Sequence, residues 1–166
     1  MDKTLVLIRH GKSDWSLDDL PDYDRPLKSR GYQDAYKMAE RLRTYSNPPQ
    51  IIYTSPANRA LYTSIIFSRV LFNEFNRIEI KKEIYLASSD QILNVIQKCD
   101  NRVQSIAIFS HNPGITDLSN HFLQWNIDNI PTSGFVRLVF NTENWKEIDK
   151  RTLKSRDFDF PKKDLN

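Results

Sequence analysis

The chain has 166 residues, 39% of them hydrophobic and 27% charged, which is typical of one soluble globular domain rather than a disordered tail. Its net charge of +3 suits an anionic ligand, but no basic stripe or arm indicates a nucleic-acid partner. The single cysteine, Cys99, excludes an internal disulfide framework and a Cys-rich zinc site. The first apolar run, Leu5 to Ile8, is too short for a signal peptide or a membrane span, so we predict a cytoplasmic protein with no membrane partner.

Predicted strands and helices alternate along the chain. Continuous apolar runs with β-branched residues indicate strands that are covered on both faces. Apolar residues spaced three and four apart indicate amphipathic helices. The apolar runs lie at 5–8, 51–53, 78–80 and 106–109, and the helical stripes lie at 32–42, 61–72, 92–99 and 115–125.

This alternation predicts an α/β fold, a three-layer α/β/α sandwich around a mostly parallel central sheet. The run 135–140, a polar turn at 141–144 and the segment Trp145 to Ile148 predict a C-terminal antiparallel hairpin. We expect a single domain over residues 1–149. Residues 150–166 are predicted to be a charged C-terminal tail, either a solvated surface segment or a docking element for an acidic partner.

Two histidines follow predicted strands at the places where ligands bind in parallel sheets. His10 comes two residues after the first apolar run, and His111 comes two residues after the fourth. Arg9 precedes His10, and Arg59 opens the helix after the second strand. Guanidinium groups bind phosphate oxygens in a bidentate way, and an imidazole can act as a nucleophile, so these residue types predict phosphoryl-transfer chemistry. His121 falls within a predicted helix and is interpreted as a structural or surface residue.

Three competing sites fail on the residues themselves. Gly11-Lys12-Ser13 resembles the end of a nucleotide-binding P-loop, but that motif needs a glycine where this chain has Val6. Cys99 falls on the buried stripe of its predicted helix, so we assign it to the core. The spacing of histidines, cysteine and carboxylates matches no metal site. We therefore expect no metal and no cofactor.

Four segments together resemble the histidine phosphatase superfamily, whose fold is phosphoglycerate mutase-like. Within it, the chain is most similar to the small SixA-like phosphohistidine phosphatases. The resemblance covers about residues 3–140. The segments are Arg9-His10-Gly11-Lys12-Ser13-Asp14-Trp15, Asp24-Arg25-Pro26-Leu27, Ser55-Pro56-Ala57-Asn58-Arg59-Ala60 and Ser110-His111-Asn112-Pro113-Gly114.

The resemblance implies a metal-independent phosphatase in which His10 takes the phosphoryl group and forms a phosphohistidine intermediate. Arg9, Arg59 and His111 would then surround the phosphate oxygens. Asn112 is a further candidate for substrate binding. Ser16 is another, because it stands where mutase members carry an asparagine that contacts phosphate, and that departure argues against mutase activity.

The general acid stays open at this point. Glu83 and Asp14 are the leading candidates by position, and Asp22 and Asp24 are alternatives in the same loop as Asp14. An imidazole leaves more readily than an alkoxide, so the weak evidence for an acid favours a phosphohistidine substrate.

Two other functions stay open. A broad-specificity phosphomonoesterase would act on small phosphate esters, and a non-catalytic module would bind a phosphorylated protein without turnover. The predicted partner is a phosphorylated protein carrying phosphohistidine, or a small phosphate ester, and we expect a monomer.

Overall fold

The structure, a computed structural model, describes residues 1–163, which form one six-stranded sheet and four α-helices. The strands are β1 (Lys3–Arg9), β2 (Ile51–Thr54), β3 (Ile78–Ile80), β4 (Ser105–Ser110), β5 (Phe135–Phe140) and β6 (Leu153–Asp159). The helices are α1 (Ser29–Arg43), α2 (Asn58–Phe72), α3 (Ser89–Gln97) and α4 (Gly114–Phe122).

Strand β1 lies in the middle of the sheet, whose order is β3-β2-β4-β1-β5-β6. The first four strands in that order are parallel, whereas β5 pairs antiparallel with β1 and β6 pairs antiparallel with β5. Arg9 of β1 lies beside Ser110 of β4. The carboxyl ends of these two neighbouring strands therefore lie side by side, and ligands bind beyond such strand ends in folds of this kind.

The apolar run of β1 is continuous because both of its faces are covered. Leu5 and Leu7 pack in a cluster with buried residues of α3 and α4. Val6 and Ile8 point the other way and pack with buried residues of α1 and α2. All four side chains are fully buried. Successive residues of a strand face opposite sides, so a strand with helices on both faces shows no alternation of polar and apolar residues.

The mixed α/β fold and the mostly parallel sheet are confirmed. The helical stripe at 32–42 forms α1, in which Ala35, Ala39 and Leu42 are buried while the two tyrosines are partly exposed. Within residues 1–163, no helix combines the length and apolar character that crossing a membrane requires.

The prediction that the segment Trp145 to Ile148 forms the second strand of the C-terminal hairpin is wrong. Residues Trp145–Glu147 form a single 3-10 turn, and β5 pairs instead with β6, inside the segment predicted to be a charged tail. Trp145 is fully buried and its indole N–H donates to the Val103 carbonyl, so the apolar character there reflects core packing. Strand β6 lies at the edge of the sheet, where charged residues are common, and this hid it from pattern analysis. Residues 164–166 of the predicted tail lie outside the described residues.

Candidate active site

A cavity of about 420 Å³ lies at the carboxyl ends of β1 and β4. It contains all four residues in which the sequence placed phosphoryl-transfer chemistry. A larger cavity, about 690 Å³, lies at the opposite ends of these strands, beside Thr4 and Ser105, and no histidine lines it. The lining residues of the first cavity are Arg9, His10, Lys12, Ser13, Trp15, Asp22, Arg25, Arg59, Leu86, His111, Asn112 and Thr132.

His10 is held as a neutral imidazole in a defined tautomer. The ring is only 8% exposed, and its Nδ1 lies 2.7 Å from the carbonyl oxygen of Gly11. A carbonyl oxygen only accepts, so Nδ1 carries the proton and donates it to this bond, leaving Nε2 with a free lone pair. Burial lowers the pKa of His10 to about 3, outweighing the bond to Gly11, which raises it, and the neighbouring imidazole and guanidinium groups lower it further. His10 therefore has a nucleophilic nitrogen at neutral pH.

His111 lies beside His10, with 5.2 Å between the ring centroids. Its Nε2 is 2.7 Å from the hydroxyl oxygen of Ser55, and this oxygen accepts the backbone N–H of Ala57 at 3.3 Å. Burial and the charge of Arg59 lower the pKa of His111 to about 4. Nδ1 of this ring is buried and has no hydrogen-bond partner among the described residues.

The two arginines are also held by bonds that leave donors unused. One terminal nitrogen of Arg9 donates to the Ile130 carbonyl at 2.9 Å. Arg59, which is 3% exposed, donates to the backbone oxygen of Asp22 at 2.7 Å and to its carboxylate at 3.0 Å. The Nε atoms of both arginines are buried without a partner within residues 1–163. Buried polar atoms are rarely left unpaired. Three residues that line this one cavity, Arg9, Arg59 and His111, each carry such an atom, which is typical of an anion site.

Asp22 joins the side chains that surround this site. Its carboxylate accepts hydrogen bonds from Tyr85 at 2.7 Å, from Arg59 and, twice, from Arg25 at 2.9 and 3.2 Å. Partial burial opposes the charge of Asp22, but these hydrogen bonds outweigh burial and hold the pKa of the carboxyl well below its usual range. Arg25 in turn packs over the Trp15 ring at 3.5 Å. The carboxylate stays ionised and fixes the outer side of the Arg59 guanidinium.

Neither leading candidate for the general acid lines the cavity. The Asp14 carboxylate accepts the backbone N–H of Ser16 at 2.8 Å, a local turn that keeps both residues in a separate shallow cavity beside α1. Ser16 does not line the cavity of His10 either. Glu83 lies in a 3-10 turn whose apolar neighbour Ile84 is buried, and it lines another separate cavity together with Lys98. Of the four carboxylates weighed from the sequence, only Asp22 lines the cavity of His10.

Asn112 lines the cavity, but its side-chain amide is already hydrogen-bonded to other residues of the chain. It donates to the Ile130 carbonyl at 3.1 Å and to Asn129, and its oxygen accepts the Thr116 hydroxyl at 2.6 Å. These contacts hold the loop before β5, which also provides the partner of Arg9.

Sequence reasoning missed the contacts of four supporting residues. Ser55 and Arg25 lie in the segments that carry the family resemblance, yet their bonds to His111 and Asp22 could not be read from those segments. Tyr85 has no sequence signal, because it meets Asp22 across 63 residues of chain. Thr63 accepts the backbone N–H of Gly11 at 2.9 Å and donates to the Arg59 carbonyl, so it ties α2 to the segment after His10.

Known proteins resemble this chain in sequence and in fold. A chloroplastic protein of Arabidopsis thaliana is 32% identical over 120 residues, 68% of this chain, and the matched region spans 55% of that protein's length. A Nakamurella multipartita protein described as a phosphohistidine phosphatase SixA superposes with a TM-score of 0.83 at 18% identity, covering 97% of each chain. A second protein with that description, from Agrobacterium tumefaciens, has a TM-score of 0.74 at 27% identity over 82% of this chain and 90% of that one. These matches show that the fold is phosphoglycerate mutase-like.

The family model of the histidine phosphatase superfamily, branch 1, matches residues 5–87, half of the chain. That range contains Arg9, His10, Asp22 and Arg59, which meet in the cavity described above. The chain therefore belongs to the histidine phosphatase superfamily.

Proposed function

We propose that this protein is a metal-independent protein phosphohistidine phosphatase that forms a phosphohistidine intermediate on His10. The observation that carries the proposal is the neutral His10 ring, whose Nε2 is free while its Nδ1 is bonded to Gly11, in a cavity with unpartnered donors on Arg9, Arg59 and His111. A nucleophile beside preorganised donors is the arrangement that phosphoryl transfer needs.

The phosphate oxygens would occupy the unpartnered donors. Arg9 and Arg59 each offer Nε–H and a positive charge, and these charges balance the negative charge of the phosphoryl group in the transition state. Ser55 accepts the N–H of Ala57 and would donate its own proton to Nε2 of His111, which places the His111 proton on Nδ1. His111 then adds a third donor without carrying a charge. Two arginines thus supply the positive charge for which other phosphatases use metal ions.

Two displacements at phosphorus complete the reaction. In the first, Nε2 of His10 attacks, the new N–P bond forms and the P–N bond of the substrate breaks. A substrate imidazole that is protonated on its other nitrogen leaves as a neutral ring. In the second, water attacks the phosphorus, the N–P bond to His10 breaks, and the proton lost by water passes to a phosphate oxygen, so that dihydrogen phosphate is released. Nδ1 of His10 keeps its proton, which it donates in the hydrogen bond to the Gly11 carbonyl, so His10 also leaves as a neutral imidazole.

The surroundings of the cavity support a P–N rather than a P–O bond. An alkoxide leaving group needs a proton from an acid, but Asp22, the only one of the weighed carboxylates in the cavity, is held ionised by Arg25, Arg59 and Tyr85. The mouth of the cavity carries the exposed side chains of Trp15 and Leu86, which suits a histidine presented by another protein. The similar SixA proteins are described as phosphohistidine phosphatases, which supports the same substrate class.

The test compares phosphate release from a phosphohistidine-bearing protein and from p-nitrophenyl phosphate, both with EDTA present. Wild type, His10→Ala and the control His121→Ala are measured side by side, because His121 is exposed and lies outside the cavity. We expect wild type to cleave phosphohistidine faster than p-nitrophenyl phosphate. His10→Ala should lose this activity, and His121→Ala should retain it. Quenching in base during turnover should trap phosphate on wild type but not on His10→Ala. Turnover by His10→Ala at the wild-type rate would overturn the proposal.

A small-molecule phosphomonoesterase is the second candidate. The cavity volume of about 420 Å³ falls within the range of small-ligand pockets, and this observation favours the second candidate. Turnover of p-nitrophenyl phosphate alone would favour it, and phosphate binding without turnover of either substrate would indicate a binding module. The monomeric state and the cytoplasmic location stay predictions from the sequence.

A further inference from the structure

A second cavity, also about 420 Å³, adjoins the cavity of His10. The two share a wall made by Lys12 and Thr132. The far side of the second cavity carries Arg30 from the first turn of α1 and Lys162 from the segment after β6. A ligand held at His10 can therefore extend past Lys12 into a space lined by three cationic side chains.

The charge of this second cavity is largely uncompensated. Arg30 lies 3.5 Å from Asp34, the only carboxylate among its lining residues. The ammonium groups of Lys12 and Lys162 form no hydrogen bond or ion pair with the rest of residues 1–163. Both side chains are exposed, as is Arg30. Two of the three cations thus face solvent without a protein anion, next to the proposed phosphate site.

The C-terminal segment is fixed where Lys162 enters the wall. Lys37 of α1 donates to the Pro161 carbonyl at 2.8 Å, and Arg41 donates to the Phe160 carbonyl at 3.0 Å and pairs with Asp159 at 2.9 Å. These contacts dock the chain after β6 against α1. These contacts of the preceding residues therefore hold Lys162 in the wall of the cavity.

Charges at the start of α1 are opposite to those that a helix favours. The helix begins at Ser29 after Lys28, has Arg30 in its first turn and has no acidic residue there. The amino end of a helix is stabilised by negative charge and destabilised by cations. A local conflict of this kind is expected where a site binds a ligand. An anion in the second cavity would relieve it.

We propose that the second cavity binds an acidic segment of the substrate protein, close in space to the phosphohistidine. The inference rests on the proposed function, because it names the chemistry of the substrate around the reacting group. Glutamate or aspartate side chains of that segment pair with Arg30, Lys162 and Lys12. The apolar Phe160 and Pro131 form the remaining walls against which the stems of those side chains pack.

The test uses two phosphohistidine peptides that differ only in carrying glutamates or glutamines on both sides of the histidine. Wild type is compared with Arg30→Gln, Lys162→Gln and the double variant. Arg43→Gln, at the other end of α1 and paired with Glu40, and Lys163→Gln, next to Lys162 but outside the cavity, are the matched controls. An exposed ion pair changes binding by roughly 1.5- to 5-fold. We expect wild type to prefer the glutamate peptide by a larger kcat/KM, each cavity variant to lose about 2- to 5-fold of that preference, and both controls to keep it.

Salt provides an independent readout, because screening between 50 and 500 mM NaCl should lower the preference of wild type more than that of the double variant, which keeps only Lys12 of the three cations. Equal cleavage of both peptides by wild type, or equal loss in the controls, would overturn the inference while leaving the proposed function intact. No cleavage of either peptide, and none of free phosphohistidine, would instead overturn the proposed function.

Discussion

Replacing Asp22 with alanine removes the carboxylate that links Arg25, Arg59 and Tyr85 at the edge of the cavity. The bond from Arg59 to the backbone oxygen of residue 22 does not depend on this side chain. The guanidinium therefore keeps one anchor but is free to rotate about it. We expect Arg59 to present its Nε–H less reliably to the phosphoryl group.

The magnitude follows from the four hydrogen bonds that the carboxylate accepts. Buried hydrogen bonds to charged groups are worth about 1.5 to 3 kcal/mol each. The Asp22 side chain is 43% exposed, and solvent screening reduces each bond to about 0.5 to 1 kcal/mol. For the four bonds together, the free energy of unfolding should fall by about 2 to 4 kcal/mol. Misplacing one charged donor in the transition state should lower kcat/KM by about tenfold to a hundredfold.

The assay measures kcat and KM with a phosphohistidine substrate, together with inhibition by inorganic phosphate. Removing the carboxylate also removes a negative charge that repels the bound anion. We therefore expect kcat to fall while the inhibition constant of phosphate changes by less than about threefold. Asp22→Asn, which keeps the shape of the side chain, should fall between wild type and Asp22→Ala.

Asp19→Ala is the control, because Asp19 is exposed in the same loop and pairs with none of the described residues. Urea unfolding separates lost stability from lost positioning. If Asp22→Ala retains kcat within a factor of two of Asp19→Ala, the contact between the Asp22 carboxylate and Arg59 plays no part in turnover, and the reasoning fails.

Three further outcomes follow from the same structure. Arg59→Ala should lower kcat/KM by at least about tenfold to a hundredfold, and steady-state activity near the wild-type value would remove Arg59 from the site. The pKa values of His10 and His111 are lowered to about 3 and about 4 in the folded chain, so below pH 6.5 the unfolded chain binds more protons than the folded one. Their contribution to the free energy of unfolding is therefore complete above pH 6.5. It falls by about 1.4 kcal/mol per pH unit for each histidine as the pH drops toward its folded-state pKa. Urea titrations at pH 7 and pH 5 should therefore show a smaller decrease for His10→Asn than for wild type or His121→Asn, and equal decreases would contradict the shift. Lys3 is fully buried and its ammonium donates to two backbone carbonyls at 2.5 and 2.8 Å, so Lys3→Met should lower the free energy of unfolding by about 2 to 4 kcal/mol, measured by urea, without changing activity.

The parts of the fold that could be predicted are those where burial dictates the sequence. The runs that form β1 and β4 are apolar throughout because helices cover both faces, and this pattern can be read without a structure. Strand β6 has one neighbour and only two apolar residues, Leu153 and Phe158, among charged and polar ones, which is also the composition of a surface segment. Trp145 looked like part of a strand because its size and hydrophobicity indicate burial but not the geometry of the backbone.

The candidate site divides in the same way. Arg9, His10 and His111 follow the carboxyl ends of neighbouring strands, and topology alone brings those ends together. The role of Asp22 could not be separated from that of Asp14, because both lie in one irregular loop. Only contacts made 37 and 63 residues away, to Arg59 and Tyr85, decide which carboxylate faces the cavity.

The central position of β1 also bears on how the chain folds. Thr4 pairs with Ser105, about 100 residues later, and the other neighbour of β1, strand β5, comes later still. Closing loops of that length before any pairing is gained makes folding slow. During synthesis the apolar run of β1 therefore emerges early and waits for both partners, exposed to aggregation until they arrive. Chaperone binding to this run is the expected protection, and His10 and His111 can meet only in the late, cooperative step that unites β1 with β4.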